Sequence, residues 1–151
     1  KSLEKIIRVV TASKISLRYS LAKFYIIDFA LKGAKDPVHE FIKRFKKNTS
    51  FKVIVNDIKK IRRLNSKFHP ITIKKLGMAC SYPGTFNSSI YTIINSRNYK
   101  EAILKTIKAG GCNCSRANFT GAYFAALKGL NSIPNSWIKK TIPAKKILSQ
   151  K

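Results

Sequence analysis

The run Gly110-Gly111-Cys112-Asn113-Cys114-Ser115-Arg116-Ala117 gathers the residue types in this chain best able to do chemistry. Paired glycines let one helix stop and another begin within a few residues, because they adopt backbone conformations that cost other residues energy. Cys112, Cys114 and Ser115 are then presented together near the N-terminus of the following helix. Unpaired backbone N–H groups at such an end favour negative charge and lower a thiol's pKa. Two readings follow, a functional thiolate or an inert cysteine pair buried in a tight turn. A Zn²⁺ or Cu⁺ site built on Cys-x-Cys would need Cys80, His39 or His69 as well, and none stands at a familiar ligand spacing. His39 and His69 also lack a nucleophile or carboxylate at recognisable spacing and receive no role. Arg116 could pair with a diphosphate or cap a carbonyl at the turn. Tyr82 and Trp137 could stack an adenine, although aromatics beside prolines more commonly pack.

The elements that must position this turn read as helices. In Ile15 to Leu31, the residues Leu17, Leu21, Phe24 and Leu31 follow a three-to-four-residue period, and Gly33 marks the stop. Asp36 and Pro37 supply an N-cap and a first-turn proline for a helix carrying Val38, Phe41, Ile42 and Phe45 on one face. From about Phe51 the inward positions are Ile54, Ile58 and Ile61, with Lys59, Lys60, Arg62 and Arg63 outward. Asn65 to Pro70 reads as a connection, because Pro70 disfavours helical geometry at His69. After a turn at Tyr82-Pro83-Gly84 comes a helix with Ile90, Ile93 and Ile94, closed by Asn95 to Asn98. Asn98 and Glu101 have capping-box spacing for a helix with Tyr99, Ile103 and Ile107 inward. From Ser115 to Leu130 small residues (Ala117, Gly121, Ala122, Ala125, Ala126) let a neighbour approach closely, and a last short helix starts at Ile133-Pro134-Asn135-Ser136-Trp137. No strand alternation stands out, so the expected fold class is all-α, a helical bundle.

At 151 residues, the chain has material for one compact core and is thin for two, so residues 1–151 are expected to form a single domain. Its apolar runs fall far short of the roughly 20 residues of a membrane span, and no signal segment opens it. Three cysteines, an odd number, then suggest reduced thiols in an intracellular, cytoplasmic setting rather than a disulfide framework. The 31 Lys+Arg against 6 Asp+Glu give a formal charge of +25, which attracts polyanions and opposes compaction.

The turn at 110–117 and the segment Gly129-Leu130-Asn131-Ser132-Ile133-Pro134-Asn135-Ser136-Trp137 together resemble the C-terminal signature of the ADP-ribosylglycohydrolase superfamily, in particular its branch of J-type crystallins. In that family the turn reads Gly-Gly-Asp-x-Asp-Ser/Thr, then comes a small-residue helix and a Gly-Leu/Ile-x-x-Ile-Pro-x-x-Trp segment. Cys114 to Ala117 is similar to a Cys-Ser-Arg-Ala run of the crystallin-like branch, and Tyr82 to Phe86 and the Val10-Thr11 region fit as well. The resemblance covers most of the chain, is specific over residues 99–138 and diffuse before residue 70.

What the resemblance implies is the C-terminal half of an all-α, orthogonal helical bundle that holds two Mg²⁺ or Mn²⁺ ions and hydrolyses the glycosidic bond between ADP-ribose and an acceptor such as a protein side chain. It places Cys112 and Cys114 at the two aspartate positions and Ser115 at the hydroxyl position of the metal site. Mg²⁺ and Mn²⁺ take hard oxygen donors, whereas a thiol is soft and must first lose a proton. Impaired metal binding is therefore expected. The family's remaining ligands and catalytic acid lie in an N-terminal half with Gly-Asp and Asn-Gly motifs, and neither dipeptide occurs here. The acids Glu4, Asp28, Asp36, Glu40, Asp57 and Glu101 read as caps or surface positions. Since Lys1 rather than Met comes first, a processed or incomplete copy is expected, with exposed apolar faces that a missing N-terminal half would cover. The competing reading is a non-catalytic basic module binding nucleic acid or another anionic surface through Lys43-Arg44, Lys46-Lys47 and Lys59 to Arg63. A third, a structural role like that of lens crystallins, needs abundance and solubility that charge alone does not establish.

Overall fold

A computed structural model describes residues 2–64 and 67–150. Among these, the helices are α1 (Ser2–Val10), α2 (Lys14–Leu31), α3 (Pro37–Phe45), α4 (Lys52–Arg62), α5 (Pro70–Leu76), α6 (Gly84–Ile94), α7 (Tyr99–Lys108), α8 (Asn113–Lys128), α9 (Asn135–Lys140) and α10 (Ala144–Leu148). No strand occurs among the described residues. The all-α class read from periodicity is therefore the class observed.

Side-chain caps open α2, α3, α5 and α7, whereas α4, α6, α8 and α9 begin without one. The Asp36 carboxylate accepts the His39 N–H at 2.9 Å with Pro37 next to it, as the sequence predicts. Asn98 accepts the Glu101 N–H at 2.9 Å, while Glu101 reaches back to the N–H of Arg97 at 2.8 Å, one residue earlier than in the standard box. α1, α5 and α10 were not foreseen. At α5 the proline that ends the preceding connection also opens the helix, with the His69 ring accepting the Ile71 N–H at 3.2 Å. Asn65 and Ser66 of that connection lie outside the described residues.

Packing centres on α8, which touches α2, α6 and α7, while α3 and α4 close the other side against α2 and α6. Ile26, Phe41, Ile58, Ile73, Phe86 and Ile90 are wholly buried in one continuous cluster. Some residues assigned to inner faces from their spacing are exposed: Phe24, Leu31 and Ile107 are 46%, 69% and 54% accessible. On α7, Ala102 and Thr106 are buried, and Tyr99 and Ile103, expected inward, are half-buried. A Cβ on Gly121 of α8 would stand 3.3 Å from Tyr99 Oη and 3.5 Å from Ile103 Cδ1, so the small-residue stripe admits side chains of α7. The buried hydroxyls of α6 are satisfied along the chain: Ser89 Oγ donates to the Thr85 carbonyl at 2.7 Å and Thr92 Oγ1 to that of Ser88 at 3.0 Å. Between helices, Tyr19 donates to Asp57 at 3.0 Å and stacks on Tyr82 with ring centroids 5.1 Å apart. Burial first, then the Asp57 charge, holds the Tyr19 hydroxyl well above its ordinary pKa.

Candidate functional site

The turn between α7 and α8 is built by the two glycines singled out from sequence. Gly110 and Gly111 both take positive φ, at 73° and 72°, a region that L side chains enter at a cost. A Cβ on Gly111 would stand 2.7 Å from Met78 Cβ and 2.8 Å from the Met78 carbonyl oxygen, so the turn lies directly against the loop between α5 and α6. That loop is closed on itself. Gly77 has φ 117°, and a Cβ there would meet the Cα of Gly84 at 2.7 Å. Ser88 Oγ donates to the Gly77 carbonyl at 2.6 Å, and the Tyr82–Pro83 bond within the loop is cis.

Two donors fasten the turn to this loop through one acceptor. The Cys112 N–H donates to the Met78 carbonyl at 2.8 Å, and Arg116 Nη1 donates to the same oxygen at 3.1 Å. Arg116 has no exposed surface; its Nη2 also donates to the Gly110 carbonyl and, at 3.0 Å, to Asn113 Oδ1. Burial lowers the guanidinium's pKa from its ordinary value, and the nearby Cys112 thiol opposes that. Of the two roles weighed for Arg116, the structure gives carbonyl capping at the turn. Tyr82 packs on Tyr19, and Trp137 sits edge-on to Tyr99 at 6.2 Å.

Cys112 is the N-cap residue of α8, and Cys114 and Ser115 fall in its first turn. The Cys112 Sγ lies 3.2 Å from Ser115 Oγ. Its other polar neighbour is the thiol of Cys80, brought in by the closed loop. Cys114 is exposed. The Ser115 hydroxyl bond, followed by that to Cys80 and helped by the Arg116 charge, lowers the Cys112 thiol below the usual thiol pKa. Cys80 is raised, chiefly by its hydrogen bond to Cys112. The sequence presents Cys112, Cys114 and Ser115 together, and the structure brings Cys112 against Ser115 while Cys114 is exposed; nothing in the spacing of Cys80 signals that a loop so distant in the chain folds onto the turn.

The donor set here does not fit Mg²⁺ or Mn²⁺. Two soft thiols and one hydroxyl face no carboxylate, and hard divalent ions want several oxygens. The acids are engaged elsewhere: Asp28 with Lys32 at 2.6 Å, Asp36 with Arg62, Asp57 with Tyr19, Glu101 with Lys105 at 2.7 Å and Glu4 with Arg8 at 3.4 Å. Glu40 sits in the first turn of α3. Among the described residues, no three His, Cys, Asp or Glu side chains cluster as metal ligands.

The profile of the ADP-ribosylglycohydrolase family matches residues 9–149. Crystallin J1A of Tripedalia cystophora is 38% identical over 69 residues, which is 46% of this chain and 21% of that protein. Crystallin J1B of the same animal is 30% identical over 76 residues, 50% of this chain and 24% of that protein. The match thus spans under a quarter of the length of these curated relatives. No solved structure matches. The Gly-Gly turn, the small-residue helix after it and a family match running nearly from end to end lead to one conclusion: the chain belongs to the ADP-ribosylglycohydrolase family.

Proposed function

We propose that this chain is a single, partial ADP-ribosylglycohydrolase-like domain of the crystallin-like branch in which hydrolysis of ADP-ribose glycosidic bonds is impaired. What supports this reading is the composition of the turn: the resemblance puts Cys112 and Cys114 at the family's aspartate positions, and Cys112 Sγ has the Ser115 hydroxyl at 3.2 Å as its hydrogen-bond partner rather than a carboxylate. Without anionic oxygens, the turn has nothing with which to hold two hard cations, and no step of the family's reaction is assigned to this chain. Exposed apolar residues Ile6, Val9 and Val10 on α1 support an additional covering element. The test is calorimetric titration with Mg²⁺ and Mn²⁺ alongside release of ADP-ribose from a modified protein. The expected result is no saturable heat and no release; tight metal binding with turnover by this chain alone refutes the reading.

A second reading, a basic module for polyanions, is favoured by the state of two clusters. Lys43, Arg44, Lys46 and Lys47 at the end of α3, and Lys59, Lys60 and Arg63 at the end of α4, are all exposed. None of them takes part in an ion pair among the described residues, where Arg62 alone of this region has one, with Asp36. The expected signature is RNA or DNA affinity that falls steeply with salt, and a chain that ignores both at low salt removes this reading.

A further inference from the structure

After α8 the chain turns back on itself in short steps. Gly129 takes φ 76°, a single 3₁₀ turn follows at Leu130–Ser132, and Pro134 and Pro143 stand directly before α9 and α10. With the start of α7, these steps enclose a cavity of about 310 Å³ whose wall includes Tyr99, Leu130, Ile133, Trp137, Ile138 and Ile147. That volume lies at the lower end of the range that small-molecule pockets span. Thr141 also lines it, but its hydroxyl already donates to the Trp137 carbonyl at 2.8 Å. A nucleobase, such as the adenine weighed for Trp137, would leave its ring nitrogens without partners against this wall, whereas an alkyl chain needs none.

The segments that carry this wall are cationic. Lys139 and Lys140 lie between the lining residues Ile138 and Thr141, and Lys146 lies beside Ile147. All three are exposed, and none takes part in an ion pair among the described residues. From Ala102 to Lys151 the sequence contains no Asp or Glu, and Glu101 is held by Lys105 at 2.7 Å. A second copy of this chain is a poor occupant, since each copy carries a formal +25. We propose that the cavity binds a free, single-tailed anionic amphiphile, a medium-chain fatty carboxylate, with its tail against Trp137 and its carboxylate toward the lysines of α9 and α10. The apolar wall contributes in proportion to the tail area removed from water, and the acid-free flank selects the sign of the head group. The apolar side chains line a concavity rather than a projecting stripe, which suits a free tail and not a bilayer surface.

Trp137 is the sole tryptophan, so its emission reports on the cavity directly. The full chain is titrated with decanoate below its micelle concentration, and in parallel with decanol, decyltrimethylammonium and acetate. The expected result is a blue shift that saturates at one decanoate per chain, about tenfold weaker binding of decanol, weaker still of the cationic amphiphile, and no shift with acetate. Leu130→Glu and Ile147→Glu change positions that are 47% and 62% exposed, outside the core, and each should weaken decanoate about tenfold. Lys139→Glu combined with Lys140→Glu should weaken decanoate and leave decanol unchanged. No saturable shift, equal affinity for decanoate and decanol, or a shift seen only with micelles or with phosphatidylserine vesicles overturns the proposal. The comparison of ligands on the wild-type chain decides without any substitution, so a poorly folding variant does not leave the question open.

Discussion

Arg116 of α8 and Met78 of the α5–α6 loop are joined by a hydrogen bond of 3.1 Å between a fully buried guanidinium and a main-chain carbonyl. Because the Cys112 N–H shares that acceptor, one oxygen fixes the loop, the turn and the start of α8 relative to one another. A cation with no carboxylate partner is tolerated there because two carbonyls and the Asn113 amide oxygen surround it.

Replacing that side chain strands the acceptors it satisfies. Arg116→Ala is expected to lower stability by about 3 kcal/mol, and Arg116→Lys by roughly half as much, because an ammonium cannot reproduce the guanidinium's fork. Urea midpoints at an unchanged slope measure this. A loss under about 0.5 kcal/mol for Arg116→Ala would contradict the anchoring role.

Gly111 and Gly33 both have positive φ, at 72° and 81°, but only Gly111 has Met78 in the way. Gly33→Ala pays for conformation alone, about 1 kcal/mol, while Gly111→Ala adds a steric conflict with backbone and is expected to cost about 3 kcal/mol. Thermal melts of the two variants in parallel check the difference. Equal losses would mean that the loop yields freely.

Glu101 is held below the usual carboxylate range, first by the Lys105 ammonium and then by the Arg97 N–H. A depressed folded-state pKa stabilises above the unfolded value, about 4.3, and that contribution disappears as pH falls through the folded value. Glu101→Gln should therefore lower the melting temperature slightly at neutral pH and leave it unchanged in acid below the folded-state value, where the carboxyl is protonated in both states. A deficit that persists in acid would point to lost packing instead.

The two contacting thiols are expected to differ in reactivity with pH. Cys112 is lowered, principally by Ser115, and Cys80 is raised, principally by Cys112. At about pH 7, iodoacetamide should modify Cys112 first, with the gap closing only as pH rises through the raised Cys80 value. Ser115→Ala should slow the Cys112 reaction and leave Cys114 unaffected. Faster labelling of Cys80 at neutral pH would reverse the assignment.

Local rules determined much of this molecule. The caps at Asp36 and Asn98, the first-turn proline at 37 and the paired glycines before Cys112 act within one helical turn, so their effect was readable from neighbouring residues alone. The same holds for the inward faces of α3 and α4, where period and burial agree at Phe41, Ile54, Ile58 and Ile61. Tertiary structure decided whether an apolar stripe meets a partner: Phe24, Leu31 and Ile107 have the right spacing and stay exposed because no described helix packs over them. It also decided the company Cys112 keeps. Periodicity describes a face, but the arrival of Cys80 and the burial of Arg116 depend on how the loop after α5 folds back, a path set by Gly77 against Gly84 and Gly111 against Met78.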